Sequence, residues 1–118
     1  MANVYKIVYR QFRKAGCGGA DGSVVGVNGS VSARCVEVIL QWMEVGDGKT
    51  VFDFGCGSGM FLVCCRMAGA RGIGVELPDN KGHKYLFDAA CTRIGRLFEL
   101  DLGDVEWRGQ DIDQVLES

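Results

Sequence analysis

The sequence predicts an α/β fold in which a parallel β-sheet is flanked by helices, with about three strands present. Two short apolar runs that suit buried strands are separated by a segment of helical periodicity. A glycine-dense turn joins the first run to that segment, and a longer helical pattern then leads to a weaker third strand. Strand, helix and strand in succession form a unit whose strands run parallel.

Composition places the chain among globular proteins. Its 118 residues suit one domain, although a complete doubly wound α/β domain usually needs more. The 47% hydrophobic and 24% charged fractions exclude a disordered chain of low hydrophobicity. No apolar run approaches the roughly 20 residues that cross a bilayer, and no signal segment begins the chain. We expect no membrane contact and an intracellular location, in the nucleus or the cytoplasm.

The cysteines predict neither disulfides nor a metal site. The chain has six, with no CxxC pair and no spacing of Cys and His that suits metal ligation. Reduced thiols that fill core space are the better interpretation. His83 is the only histidine, and we expect it on a helix surface.

Charge is distributed unevenly, although the net charge is only −2. The first 16 residues carry four cations and no acid, whereas residues 99–118 carry seven acids and one cation. The cations favour a solvated helix face, and contact with nucleic acid or an acidic protein surface is the alternative that stays open. They are Lys6, Arg10, Arg13 and Lys14. Residues 1–31 are predicted to form a basic helix and a glycine-rich loop, and residues 32–118 an α/β half-domain.

Each element follows from local signals. Apolar residues at helical spacing predict a helix over residues 3–14, and dense glycine predicts a loop over 15–30. The next predicted helix begins at Ser32, is capped by Ser30 or Ser32, and ends at Gly46. Its inward residues are predicted to be Val36, Ile39, Leu40 and Met43. The later elements are a strand over 50–54, a helix over 60–68 closed by Gly69, a strand over 72–76, a helix over 80–99, a strand over 105–108, and a short helical start at 112–118. The helix over 80–99 is predicted to face inward through Leu86, Ala90, Ile94, Leu97 and Phe98.

The most informative stretch runs from Val51 to Gly59 and has the pattern D-x-G-x-G-x-G. Its acid is Asp53, and its glycines are Gly55, Gly57 and Gly59. Glycine permits positive φ and has no Cβ, so a ligand can lie against the backbone. The helix that follows presents free amide groups to an anionic group such as a carboxylate.

Two further acids follow the next two strands. Glu76 lies 17 residues after Gly59 and ends the second strand, where a carboxylate can accept hydrogen bonds from both ribose hydroxyls. Asp111 follows the third strand. Because parallel strands end at the same edge of a sheet, these acids and the glycine turn predict one nucleoside-binding site.

With these residues the chain resembles the class I S-adenosylmethionine-dependent methyltransferases, which have a Rossmann-like fold. The resemblance covers about residues 32–113 and implies S-adenosylmethionine as the cofactor. The glycines would line its methionine part, Asp53 would hold the amino group, and Glu76 would bind ribose. Asp111 would contact the adenine amino group, with Gln110 or Ile112 against the ring, or would instead cap the last helix. The implied cofactor-binding residues are Asp53, Gly55, Cys56, Gly57, Gly59, Glu76, Leu77, Gln110 and Asp111.

Within that superfamily, the segment from Ser32 to Leu97 is most similar to the non-SET histone-lysine methyltransferases of the disruptor-of-telomeric-silencing type. The similar segments are residues 52–59, 74–77 and 83–85. This resemblance implies a protein lysine as methyl acceptor and a role in chromatin. The chain departs from that family over residues 24–29, where an aromatic-Gly-Glu signature would stand.

Two alternatives remain at this stage. A dinucleotide site uses the same strand, loop and helix, but its G-x-G-x-x-G pattern needs glycine at position 60, which is Met60. An anionic Asp53 beside a pyrophosphate would also be unfavourable. The second alternative is a module that binds cofactor or a partner without catalysis.

The resemblance places the substrate-binding wall, with a fourth strand beside the first, beyond the residues given. The first strand would then lie at an edge of the sheet, which predicts self-association or a complementing partner. We expect weak or no methyltransferase activity from the chain as given, and no catalytic residue is assigned.

Overall fold

The computed structural model describes residues 2–16, 33–78 and 81–117. Its helices and strands follow the order predicted from the sequence. The elements are α1 (Ala2–Ala15), α2 (Ala33–Trp42), β1 (Thr50–Phe54), α3 (Met60–Met67), β2 (Arg71–Glu76), α4 (Lys81–Phe98), β3 (Val105–Gly109) and α5 (Ile112–Glu117). None of these helices is long and apolar enough to cross a membrane. The predicted loop, the Ser30 and Ser32 caps and the boundary at 31/32 fall outside the described residues.

The three strands form one parallel sheet in the order β1-β2-β3. Asp53 lies opposite Gly74, and Gly74 lies opposite Trp107. All three strands therefore end at the same edge of the sheet, which is where the predicted acids stand. The predicted Rossmann-like α/β architecture is confirmed, and β1 forms one edge of the described sheet.

Helix α3 packs on one face of the sheet through close contact with glycines in β2. A Cβ placed on Gly72 would lie 3.2 Å from Leu62, and one on Gly74 would lie 2.6 Å from Cys56 Sγ. Helix α1 packs against α2, α3 and α4. Its Tyr5, Val8 and Phe12 are buried in the same core, so the basic helix belongs to the packed structure.

Helix α2 ends earlier than predicted. It stops at Trp42, because Glu44 adopts φ 54° and the chain turns there. The Val45 amide donates to the Leu40 carbonyl and the Glu44 amide to the Gln41 carbonyl, which satisfies the last carbonyls of the helix. Glycine is the usual residue at such a turn, so the sequence pointed to Gly46 instead.

Two predicted helix faces also differ from the structure. In α4 the buried residues are Phe87, Ala90 and Ile94, whereas Leu97 is 55% exposed. Leu97 lies on the flank of α4 towards the end of α1, beyond the packed stripe. In α2, Met43 is 53% exposed because the helix has already ended before it.

Replacing Gly74 by alanine should destabilise the fold. The new methyl group would overlap Leu62 and Cys56, and overpacking of this kind costs about 1–3 kcal/mol. Urea unfolding measures the loss. Gly82→Ala, in α4, is the control, since a Cβ there meets no atom within 4 Å and alanine favours helix. Equal stability of the two variants would contradict the packing described.

A charge on the β1 edge should reduce the self-association that the sequence predicts. Phe52 is 56% exposed and Phe54 51% exposed, on the face opposite Val51 and Asp53. Phe52→Glu should lower the concentration dependence of the sedimentation coefficient, because charged residues oppose edge pairing. Tyr85→Glu, on α4, is the control for an exposed aromatic residue away from the edge. The prediction is wrong if both variants sediment alike.

Candidate functional site

The glycine turn after β1 folds back over the end of β2. The Gly55 and Cys56 amides both donate to the Val75 carbonyl, at 2.8 and 3.2 Å. Gly55, Gly57 and Gly59 have φ of 76°, 58° and 84°, a region that favours glycine. The alternation of glycines in the sequence is therefore explained by the path of the backbone.

The Glu76 carboxylate holds this turn from β2. Its Oε2 accepts a hydrogen bond from the Gly57 amide at 2.8 Å, and its Oε1 accepts one from the Leu77 amide at 3.0 Å. Trp107 Nε1, from β3, donates to the Gly57 carbonyl at 2.7 Å. Both sides of one glycine residue are thus fixed by side chains from neighbouring strands. Sequence reasoning missed Trp107, which the register places opposite Gly74.

Asp53 and Glu76 lie on the same face of the sheet. Asp53 pairs with Gly74, and Glu76 is two residues farther along β2, so both side chains point to one side. Burial raises the pKa of Asp53 above its usual value, and the nearby Glu76 carboxylate raises it further. Two neighbouring carboxyls on one face favour a positively charged group beside them.

A hollow of about 310 Å³ opens at this edge of the sheet, at the lower end of the range for small-molecule pockets. Its lining consists of Phe54, Gly55, Val75, Glu76, Leu77, Gln110 and Asp111. Five of these were predicted from the sequence, and Phe54 and Val75 were not. The hollow combines apolar walls with carboxylates from the ends of two strands. Asp53 does not line it, although it is near Glu76.

Cys56 and Gly59 contribute to the turn through their backbones. The Cys56 side chain is buried against Gly74, and burial, with Asp53 and Glu76 nearby, raises the pKa of its thiol to about 12. A Cβ on Gly59 would lie 2.7 Å from the Phe87 ring. Neither residue presents a side chain to the hollow. The side chain of Ile112, the other proposed neighbour of the ring, is not among those described.

Asp111 caps α5 and also lines the hollow. Its Oδ1 accepts a hydrogen bond from the Asp113 amide at 3.3 Å, and Gln114 Oε1 accepts one from the Asp111 amide at 2.9 Å. Asp111 is therefore the N-cap of α5, and Gln114 bonds back to its amide as the third helical residue does in a capping box. The two interpretations that the sequence left open are therefore compatible, because one carboxylate oxygen makes the cap while the residue faces the hollow.

His83 lies beside Glu76 and not on an open helix surface as expected. Its Nδ1 is 3.9 Å from Glu76 Oε2, and that nitrogen is buried without a hydrogen-bond partner among the described residues. The first turn of α4 follows β2 closely, so it lies at the same edge of the sheet. His83 therefore packs against the acid that holds the glycine turn, although it is not among the residues that line the hollow.

Removing the Asp53 charge should stabilise the fold at neutral pH. Because the folded state raises the pKa of this carboxyl, it binds the proton more tightly than the unfolded state, and ionisation costs stability as pH rises. Asp53→Asn should therefore raise the urea midpoint at pH 7, and the gain should shrink as pH falls towards the carboxyl range. Asp104→Asn, at an exposed residue, is the control. A gain independent of pH would count against this account.

No family model matches the chain, but its sequence relatives are methyltransferases. It is 31% identical over 75 residues to the ribosomal protein L11 methyltransferase of Cupriavidus necator, which covers 61% of this chain and 25% of that protein. It is 31% identical over 83 residues to the 23S rRNA (uracil(1939)-C(5))-methyltransferase RlmD of Nitrosococcus oceani. That match covers 69% of this chain and 19% of the relative. The RlmD of Shewanella amazonensis is 30% identical over 103 residues, and that match covers 82% of this chain and 23% of the relative.

The chain spans a quarter or less of the length of these relatives. Their names refer to ribosomal RNA or ribosomal protein, and none refers to histone lysine. The narrower resemblance to histone-lysine methyltransferases therefore gains no support from them. In sequence the chain is similar to part of several methyltransferases, as the glycine turn and the acids at the strand ends led us to expect.

Proposed function

We propose that this chain is the S-adenosylmethionine-binding portion of a methyltransferase. The observation that carries the proposal is the hollow at the carboxyl edge of the sheet, where Gly55, Glu76 and Asp111 come together from the ends of β1, β2 and β3. The similarity to methyltransferases supports the same reading. Binding of the cofactor by these particular residues is a prediction.

The residues present fit an adenosyl group. Glu76, which lines the hollow, would accept hydrogen bonds from the ribose hydroxyls. Phe54, Val75 and Leu77 would provide the apolar walls for the adenine ring. The Asp111 carboxyl at the rim can accept from an exocyclic amino group.

The acids suit a cofactor that carries positive charge. Burial of Asp53 beside Glu76 is unfavourable in the protein alone, as the raised pKa shows. An amino group and a sulfonium nearby would compensate both carboxylates, whereas a pyrophosphate would add a third negative group. The two carboxylates therefore favour S-adenosylmethionine over a dinucleotide.

When bound, the cofactor supplies a methyl group on a positively charged sulfur. The work of the described residues is to bind and orient it, since alignment with the acceptor is the main requirement of such a transfer. We propose ribosomal RNA or ribosomal protein as the acceptor class in place of histone lysine, because the relatives carry these names. A chromatin role loses its basis with the histone acceptor.

Glu76→Gln should weaken binding of S-adenosylmethionine by about tenfold or more, since a hydrogen bond to a charged group contributes about 1.5–3 kcal/mol. The amide keeps the size of the side chain and an oxygen for the Gly57 amide. Isothermal titration measures the affinity. Glu106→Gln is the matched control, because Glu106 is an acid of β3 that pairs with Arg71 and Arg108 outside the hollow.

Titration with nicotinamide dinucleotide tests the competing site. Wild-type protein should bind S-adenosylmethionine more tightly than the dinucleotide. Tighter binding of the dinucleotide, or no binding of S-adenosylmethionine, would refute the proposed function. Equal affinity of wild type and Glu76→Gln would refute only the role of Glu76.

A further inference from the structure

A groove of about 430 Å³ runs between α1 and α4, away from the hollow. Its lining is Gln11, Lys14, Arg93, Arg96 and Leu97. Three of these five side chains are cations, and no acid is among the lining residues that the structure describes. The groove therefore concentrates positive charge at the contact of two helices.

The cations of the groove have no ion-pair partner within the described part of the chain. Some cations elsewhere are paired. Arg71 and Arg108 both pair with Glu106, at 2.6 and 2.7 Å, and Lys84 pairs with Asp88 at 2.8 Å. The protein thus neutralises several of its surface cations but leaves those of the groove uncompensated.

One arginine of the groove is held in place. Gln11 is only 8% exposed, and its Oε1 accepts a hydrogen bond from Arg93 Nε at 3.1 Å. This bond joins α1 to α4 and leaves the two terminal nitrogens of the guanidinium for a ligand. A guanidinium oriented in advance loses less side-chain entropy when it binds a phosphate.

The positive surface continues along α1. Arg10 and Arg13 are exposed on the helix that supplies Lys14, and the sequence of α1 contains no acid. Five cations on two packed helices make a footprint larger than a single carboxylate ligand requires. Repeated phosphates of a strand match such a surface, and the exposed Leu97 offers apolar contact to a sugar or base.

We propose that this groove binds the phosphodiester backbone of an RNA strand. RNA is favoured over an acidic protein because the charge is extended and rich in arginine, and because relatives of the chain act on ribosomal RNA by name. The groove lies apart from the cofactor hollow, since His83 and Arg93 are separated by ten residues of α4, about 15 Å. The proposal adds an acceptor-binding surface to the proposed function.

The test is fluorescence anisotropy of a labelled 12-nucleotide single-stranded RNA with the full chain, over a range of salt concentrations. The double variant Arg93→Gln/Arg96→Gln should bind at least tenfold more weakly at low salt. It should also reduce the slope of log affinity against log salt by about 1.4, since each phosphate contact to a single strand contributes about 0.7. The control is Arg71→Gln/Arg108→Gln, which removes two cations that pair with Glu106, and it should bind as wild type does.

Several outcomes would overturn the proposal: equal loss in both double variants, tighter binding of DNA of the same sequence, or displacement of RNA by polyglutamate at matched charge. If the Arg93/Arg96 variant fails to fold by circular dichroism, Lys14→Gln provides the second test. Lys14 is exposed, and its loss should lower the slope by about 0.7.

The same samples are titrated with S-adenosylmethionine. Arg93→Gln/Arg96→Gln should bind it as wild type does. Cofactor binding without RNA binding refutes only the groove, and RNA binding without cofactor binding refutes only the proposed function.

Discussion

The site depends on the fixing of one residue, Gly57, from two strands. Its amide donates to Glu76 at 2.8 Å, and its carbonyl accepts from Trp107 at 2.7 Å. A run of glycines is conformationally free in the unfolded chain and would have no single path without such partners. The two hydrogen bonds give the turn a defined position over the ends of β2 and β3, and the hollow exists because the turn stays there.

The same arrangement explains why the site is electrostatically unfavourable when considered alone. Glu76 must stand at the end of β2 to hold the turn, and Asp53 lies on the same face one strand away. Part of the folding free energy therefore maintains two neighbouring carboxyls, which is reflected in the raised pKa of Asp53. Such a cost is typical of binding sites, where the ligand supplies the missing charge.

Much of this was predictable from the sequence because it depends on local pattern. Asp53, Glu76 and the glycines were identified because they follow predicted strand ends at a regular spacing. The Trp107–Gly57 and Gln11–Arg93 bonds could not be predicted, because each joins segments far apart in the chain. The contact of His83 with Glu76 was missed because it depends on how the start of α4 lies against the end of β2. The end of α2 was misplaced for another reason: Glu44 adopts positive φ at the turn after the helix, where glycine is the usual residue.

Helix α4 connects the hollow and the groove and also separates their charges. Its first turn places His83 beside Glu76, and its last turns place Arg93 and Arg96 against α1. The two regions are about 15 Å apart along the helix, whereas charges are screened within about 8 Å at physiological salt. The acids can therefore attract a cationic cofactor without weakening the cations that would bind a strand.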